Sequence, residues 1–325
     1  MDSEYPIKPL AFDGISTYPL DSRKSKVQAG MFGKALDGSE NILGFISKLP
    51  HILAGESFRN LIRALLYARS SGKGIIWGLG GHVVKVGLGP VIGDLVQSGF
   101  VTGVAMNGSA AIHDFEVALR GTTSEDVEEQ LGEGRFGMAQ ETGQYMNACI
   151  DHAASNDIGL GEGLGRFIAK GEEHGIAFQH RPMSILAQAY DRKVPVTVHV
   201  AIGTDIIHAH PQTSGSALGE TTYRDFRLFC SMARALDGGG VYLNVGSSVI
   251  LPEVFLKAVS VVRNLGHRLE EFTTVNLDFI QHYRPTQNVL RRPTQRSGQS
   301  IALTGHHEIM IPLIAAALKG SIEAT

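Results

Sequence analysis

The segment 106–119, MNGSAAIHDFEVAL, places proton-carrying side chains directly after a run of small residues. These side chains are His113, Asp114 and Glu116, and imidazole is the group that titrates closest to neutral pH. We expect His113 and Asp114 to act as catalytic acid/base groups and Glu116 to contact a substrate. The alternative is structural, because a carboxylate at Asp114 would also stabilise the start of a helix.

Short apolar runs alternate with longer helical patterns along the chain. The predicted strands are residues 74–79, 101–106, 195–202, 240–245, 273–279 and 300–304. Their nearly continuous apolar character is typical of strands that are covered on both faces. The predicted helices between them are residues 57–70, 90–98, 111–119, 141–154, 160–170, 184–191, 219–236, 251–264 and 308–318. This alternation predicts an α/β fold with a doubly wound, mostly parallel, Rossmann-like sheet of about six or more strands and helices on both faces.

Composition narrows the class of protein further. With 325 residues, 43% of them hydrophobic, the chain can bury a large core. We expect a single nucleotide-binding domain at residues 56–325, an N-terminal extension at residues 1–55 that packs on it, and a surface excursion at residues 122–137. A net charge of −3 argues against nucleic acid or a membrane surface as partner. Both cysteines lie in apolar surroundings, which predicts reduced thiols and a cytoplasmic protein.

In a parallel sheet, ligands bind beyond the carboxyl ends of the strands. Several predicted loops there combine small residues with a helix start, whose free N–H groups can hold a phosphate or a carboxylate. The alternative is that the glycines only make tight turns. We predict cofactor-binding residues in these loops: Gly80, Gly81, His82, Asn107, Gly108, Ser109, Thr204, Asp205, Ser216, Gly239, Gly240 and Asn244. The dinucleotide fingerprint itself is incomplete, because valine stands at its third glycine position, residue 83.

Two known families resemble the central part of the sequence. Ala111, His113, Asp114 and Glu116, followed by ALRGT at 118–122, resemble the motif A-x-H-D-x-E-x-A-L-x-G-T. This motif belongs to the ornithine cyclodeaminase domain related to lysine-oxoglutarate reductase and saccharopine dehydrogenase. The blocks 78–119, 202–220 and 236–254 also resemble, in order, segments of deoxyhypusine synthase. The likeness covers roughly residues 55–318 and implies a deoxyhypusine-synthase-like fold, bound NAD and an amine or amino-acid substrate.

One departure separates this chain from true deoxyhypusine synthases. That family uses a lysine near its C-terminal end to form an imine, whereas no lysine stands between Lys257 and Lys319 here. Arginine does not replace it, because a guanidinium stays protonated and cannot attack as a free amine. The expected activity is therefore not aminobutyl transfer. Hydride transfer has no such requirement, because the cofactor carries that chemistry.

Further candidates lie in other loops. His208 and His210 are two residues apart, so we expect a second acid/base group there, with a metal site as the alternative. Lys85 and His306 are predicted to bind substrate, with a solvated lysine and a helix-capping histidine as the alternatives. Arg291, Arg292 and Arg296 form a small basic cluster that suits either an anionic group of a neighbouring subunit or solubility.

These inferences combine into one expected function and two alternatives. The chain is expected to be an NAD-dependent enzyme, an oxidoreductase, deaminase or transferase, that oxidises a small amine or amino acid. We expect a homo-oligomer, a dimer or a tetramer. The alternatives are a non-catalytic nucleotide-binding or regulatory protein and a metal-dependent enzyme that uses His208 and His210.

Overall fold

A computed structural model describes residues 4–323 and contains six parallel strands with helices on both sides. The strands are β1 (Ile75–Leu79), β2 (Gly103–Asn107), β3 (Val196–His199), β4 (Val241–Val245), β5 (Thr273–Asp278) and β6 (Gln299–Thr304). Their spatial order is β3-β2-β1-β4-β5-β6. The order reverses between β1 and β4, which is the topology of a doubly wound Rossmann-like sheet. The predicted fold class is confirmed.

Helices cover both faces of this sheet. Before β2 they are α1 (Ile42–Lys48), α2 (Leu53–Ser70), α3 (Gly81–Lys85) and α4 (Gly89–Gln97). Between β2 and β3 lie α5 (Gly108–Arg120), α6 (Val127–Leu131), α7 (Gln140–Ser155), α8 (Leu160–Ala169) and α9 (Ile185–Asp191). The remaining helices are α10 (Gly215–Arg234), α11 (Ile250–Asn264), α12 (Tyr283–Pro285), which continues into a π-helical turn (Thr286–Arg291), and α13 (His307–Glu323).

The side chains of the central strands alternate between two cores. On one face, Trp77 is fully buried and its indole N–H donates a 3.1 Å hydrogen bond to the carbonyl of Phe100. On the other face, Tyr242 of β4 stacks on Phe255 of α11 with their ring centroids 3.8 Å apart. Burial on both faces explains why the strands are apolar without a break, as the sequence suggested.

Residues 4–30 differ from the rest of the chain, because every one of them is exposed. Met31, which is partly buried, accepts a hydrogen bond at its carbonyl from the N–H of His51. Helix α1 then packs against α13. The outermost residues of the two predicted regions, 1–3 and 324–325, lie outside the described residues.

None of the helices in residues 4–323 has the length and apolar character that crossing a bilayer requires. Cys149 and Cys230 are free thiols and both are buried.

Candidate functional site

A cavity of about 240 Å³ opens at the carboxyl ends of β2 and β3. Four segments form its wall: the end of α3, the first half of α5, the 203–210 loop that follows β3, and the excursion. Six of the predicted site residues line it together: Lys85, Ser109, His113, Glu116, Thr204 and Asp205. The excursion contributes Ser124, Glu125, Val127 and Phe136. The cavity therefore combines one lysine, one histidine and three carboxylates.

His113 is held by a chain of hydrogen bonds. Its Nδ1 lies 2.7 Å from the Thr123 hydroxyl, which donates a 2.5 Å hydrogen bond to one oxygen of Glu116. The other Glu116 oxygen accepts from the Thr142 hydroxyl at 2.9 Å. Because the single Thr123 proton goes to Glu116, His113 must donate its Nδ1 proton to Thr123. The geometry thus selects the tautomer in which Nε2 carries a free lone pair.

The surroundings of His113 also keep its ring neutral. Burial, with a contribution from the positive charge of Lys85, lowers the pKa of His113 to about 4. At neutral pH this histidine is an uncharged base. Gly81 leaves room for the site, because a Cβ at this position would collide with Ser109 and press against the His113 ring. A side chain at position 81 would therefore displace the base.

Asp114 has a different environment, although it follows His113 directly. It is fully buried and its carboxylate accepts hydrogen bonds from the Ser184 hydroxyl at 2.5 Å and from the N–H groups of Ile185 at 2.7 Å and Leu186 at 3.2 Å. Burial raises its pKa to about 6, against these hydrogen bonds, which lower it. These contacts fix the start of α9 to α5, and Asp114 does not line the cavity.

Asp205 and His208 lie across the start of α5 from His113. A Cβ at Gly108 would collide with the Asp205 carboxylate, so this carboxylate stands at the first residue of the helix. Within the described residues its Oδ2 has no hydrogen-bond partner, and it lies 3.9 Å from the equally unpartnered Nε2 of His208. Burial raises the pKa of Asp205 to about 6 and lowers the pKa of His208. The His208 Nδ1 accepts from the N–H groups of Gly203 and Asp205, which fixes the loop.

His210 points elsewhere. Its Nε2 lies 2.9 Å from the carbonyl of Gly137, so the ring ties the 203–210 loop to the end of the excursion. Within residues 4–323, no group of three or more His, Cys, Asp or Glu side chains could hold a metal ion. His208 and His210 are thus not accompanied by a third ligand in the described part of the chain.

A second set of predicted residues gathers where β1, β4 and β5 end. Asn244 donates to the Ser247 carbonyl at 2.8 Å and to Asn276 Oδ1 at 2.7 Å. Its own Oδ1 is buried and has no partner in the part of the chain that the structure describes. The ring centroid of His82 lies 5.3 Å from that of His307, whose Nδ1 also lacks a partner. A Cβ at Gly80 would collide with the Gly246 carbonyl. His306 is exposed beside this group.

Two of the predicted residues lie at the other end of the strands from the cavity. Gly239 and Gly240 precede β4, and the Gly240 carbonyl accepts from the N–H of Thr273, the first residue of β5. They are therefore at the amino ends of the strands, and the structure corrects their predicted place in a ligand site. Their role is a turn, since Gly239 has a φ of +114°. Ser216 lies in the first turn of α10 and bonds to Ser214.

The fit of a dinucleotide to the carboxyl ends of the strands depends on which main-chain and side-chain groups remain available there. The side chain of Asn107 caps the N–H of Ala110, and the pairing of Asn107 with His199 directs the Gly108 N–H to the His199 carbonyl. The Ser109 N–H, in the first turn of α5, is a donor of the kind that binds phosphate at a helix start. The unpartnered Oδ1 of Asn244 is an acceptor for a hydroxyl or an amide. The Ser109 N–H and the Asn244 Oδ1 suit a dinucleotide, while the Asp205 carboxylate stands at the same end of α5 and repels a phosphate when it is ionised.

The excursion was predicted only as a surface feature, and its residues in the site, above all Thr123, were not among the predicted site residues. Gly121 ends α5 with a φ of +74°, and this left-handed residue turns the chain back along the helix. The turn brings Thr123 beside His113 and Glu116, which lie one helical turn apart. A glycine directly after the helix pattern was the available signal.

No family model and no curated protein matches the chain. Among solved structures, AgrE in a ternary complex with ornithine and NAD+ is similar at 15% identity and a TM-score of 0.55, over 82% of this chain and 33% of AgrE. A LOR/SDH protein from Methanococcus maripaludis S2 is similar at 16% identity and a TM-score of 0.50, over 83% of this chain and 71% of that one. A deoxyhypusine synthase-like protein from Entamoeba histolytica is similar at 11% identity and a TM-score of 0.48, over 89% of this chain and 96% of that one.

The first two of these comparisons define the class of protein. The chain has the Rossmann-like α/β fold that AgrE and the LOR/SDH protein contain, which confirms the predicted resemblance at the level of the fold. It spans about a third of the length of AgrE.

Proposed function

We propose that this chain is an NAD-dependent enzyme that oxidises a small amine or amino acid at its amine-bearing carbon. The observation that carries the proposal is the neutral His113 in the cavity, with its Nε2 free and its Nδ1 committed through Thr123 to Glu116. AgrE, which has the same fold, was solved with ornithine and NAD+. That similarity supports NAD as the cofactor proposed here.

Bound NAD would supply the hydride acceptor. Ser109 would hold it through its main-chain N–H and Asn244 through its unpartnered Oδ1. A protonated amine has no lone pair to assist the loss of hydride from the neighbouring carbon, so a base must first remove one ammonium proton. His113 is placed for this step, because its Nε2 is unprotonated at neutral pH.

The other cavity residues define what can bind beside His113. The Lys85 ammonium lowers the pKa of His113 through its charge and would pair with a substrate carboxylate. Glu116 and Glu125, which also line the cavity, would attract the ammonium group. Charges of both signs in one cavity favour a zwitterionic amino acid over a simple amine. Asp114 takes a positioning role, since it joins α5 to α9.

The test uses the purified chain and has two independent measurements. Mass analysis after denaturation and calorimetry with added NAD detect the cofactor, and NADH formation is followed with ornithine, related amino acids and polyamines. We expect His113→Asn to bind NAD as the native chain does and to lose at least about 100-fold in turnover. His152→Asn, which changes an exposed histidine of α7, is the matched control and should keep full turnover.

Each other outcome has a definite meaning. Neither bound NAD nor NADH formation would contradict the proposal. NAD binding without turnover of any of these compounds would favour the regulatory alternative. Full turnover by His113→Asn would exclude His113 as the base while leaving the NAD-dependent reaction in place.

A further inference from the structure

The two edge strands of the sheet, β3 and β6, differ in how their outward main-chain groups are hydrogen-bonded. At the β3 edge, side chains of α10 satisfy the outward main-chain groups. The N–H of Val198 donates to Asp225 Oδ2 at 2.7 Å, the Thr222 hydroxyl donates to the Val198 carbonyl at 2.8 Å, and the N–H of Val200 donates to the same hydroxyl at 3.3 Å. An edge covered in this way cannot pair with another strand.

The β6 edge has no such cover. The N–H groups of Gln299 and Gly305 donate to β5, at Phe272 and Asp278, so odd-numbered residues face the sheet. The main-chain groups of Ser300, Ala302 and Thr304 consequently point away from it. In residues 4–323 these groups have no hydrogen-bond partner, and all three side chains are exposed. The strand also contains no charge, proline or bulge that would discourage pairing.

We propose that β6 pairs in antiparallel fashion with β6 of a second copy of this chain, centred on Ala302. A two-fold axis at this point places Ser300 opposite Thr304 of the second copy and Ala302 opposite its own counterpart. Each of the three pairs exchanges two main-chain hydrogen bonds, and hydroxyl side chains opposite each other add favourable contacts. The antiparallel arrangement is self-complementary, because its two-fold axis pairs the same three residues of each copy and closes the assembly at two chains.

The charges on either side of β6 fit the same arrangement. The basic cluster Arg291, Arg292 and Arg296 precedes the strand, while Glu308 is exposed just after it. An antiparallel partner brings the basic cluster of one copy next to Glu308 of the other. This assigns a neighbouring-subunit role to the basic cluster.

An apolar patch adjoins the end of β6 as well. It consists of Phe279, Ile280 and Ile309, which are 44%, 52% and 62% exposed. Phe279 stacks on His306 with their ring centroids 6.3 Å apart, so the patch continues into the turn after β6. A second copy that pairs along β6 would cover part of this surface and remove apolar area from water.

A disulfide at the two-fold axis tests the register. In the proposed pairing the two Ala302 Cα atoms lie about 5.5 Å apart, a separation that a disulfide bridges. We expect Ala302→Cys to form a covalent dimer under mild oxidation. Thr304→Cys is the register control, because its two copies would lie roughly 13 Å apart. Ser231→Cys, exposed on α10 at the far side of the sheet, is the collision control. The native Cys149 and Cys230 are buried.

Sedimentation of the otherwise native chain provides the second measurement. We expect the native chain to be a dimer that dissociates more readily at high salt. The Ala302→Pro variant should be a monomer. Proline is tolerated here because the lost N–H faces outward. A native monomer at micromolar concentration, or cross-linking of Ala302→Cys no faster than Ser231→Cys, would overturn the proposal. A monomer in which the Ala302→Cys thiol resists alkylation would also overturn the proposal. In that case the N-terminal segment of the same chain would cover the β6 edge.

Discussion

At the level of single residues, the proposed chemistry depends on one imidazole and the groups that orient it. His113 is an ordinary helical residue whose neighbours determine its protonation and its tautomer. Thr123 reaches it from a different segment and passes the hydrogen bond on to Glu116. The base is therefore complete only when the excursion is folded against α5.

Replacing Thr123 tests this dependence. Thr123→Val keeps the shape of the side chain but removes the hydroxyl, so the Nδ1 proton of His113 loses its acceptor. We expect a mixture of the two neutral tautomers in place of one, and a fall in turnover of about 10-fold to 100-fold. Nitrogen NMR of labelled histidine reads the tautomer directly, without any assay of activity.

Thr123→Ser is the matched control, because it restores the hydroxyl and should restore the single tautomer. Identical histidine spectra for the native chain and Thr123→Val would contradict the assigned network. The NMR titration should also give a pKa of about 4 for His113 in the native chain, so the ring stays neutral as the pH falls from 7 to 5.

At the level of the elements, α10 protects β3 through a buried carboxylate. Asp225 is inaccessible to solvent and accepts from the N–H groups of Val198 and Gly161, which joins α10 to β3 and to the start of α8. Gly159 is required beside it, since a Cβ there would collide with Asp225 Oδ1. Burial raises the pKa of Asp225 to about 7.

Asp225 should make stability depend on pH. Its folded-state pKa of about 7 lies above the value of about 4 in an unfolded chain, so the folded protein holds an extra proton between these limits. The stabilisation that this proton provides is complete below pH 4 and is lost as the pH rises through 7. Asp225→Asn should remove this part of the pH dependence. Denaturant unfolding at several pH values measures it.

Two substitutions at this position separate charge from hydrogen bonding. Asp225→Asn keeps an acceptor for both N–H groups, and we expect the free energy of unfolding at neutral pH to change by less than about 1 kcal/mol. Asp225→Ala leaves both N–H groups buried and unsatisfied, which should cost about 3 kcal/mol. Equal losses for the two variants would show that the acceptor does not matter.

At the level of the whole molecule, the N-terminal segment and the body are distinct. Residues 4–30 are exposed throughout, including Ile7, Leu10, Phe12, Ile15, Tyr18, Leu20 and Val27. Helix α1, by contrast, belongs to the body. Arg59 of α2 donates to the carbonyls of Ile46 and Leu49, and Ile46 is buried. We propose that the folded domain begins at α1 rather than at residue 56.

Truncation tests that boundary. Removing residues 1–27 should change the free energy of unfolding by less than about 0.5 kcal/mol, because residues 4–27 contribute no buried side chain. Ile46→Ala in the full chain should cost about 2 to 3 kcal/mol, since it empties a buried position in the core. Urea unfolding of both proteins makes the comparison. A large loss from the truncation alone would place the boundary earlier.

The architecture and the neighbourhood of the site could be predicted from the sequence alone. All six predicted strands are present, because burial on both faces leaves a continuous apolar run that few other structures produce. Parallel strands bring their carboxyl ends to one edge, so Ser109, His113 and Asp205 could be placed together without coordinates. Short helices such as α1, α3 and α6 were missed, since one or two turns hold too few residues to establish a period.

Only the tertiary structure decided what each polar side chain meets. His113 and Asp114 are adjacent in sequence, yet one faces the cavity and the other caps α9, because successive helical residues point about 100° apart. The left-handed turn at Gly121 brings Thr123 into the site. Gly239 and Gly240 lie at the amino ends of the strands, away from it. The open β6 edge likewise depends on the spatial order of the strands. The hydrophobic periodicity of an element shows which of its faces is buried, but it does not show which group of another element each polar side chain contacts.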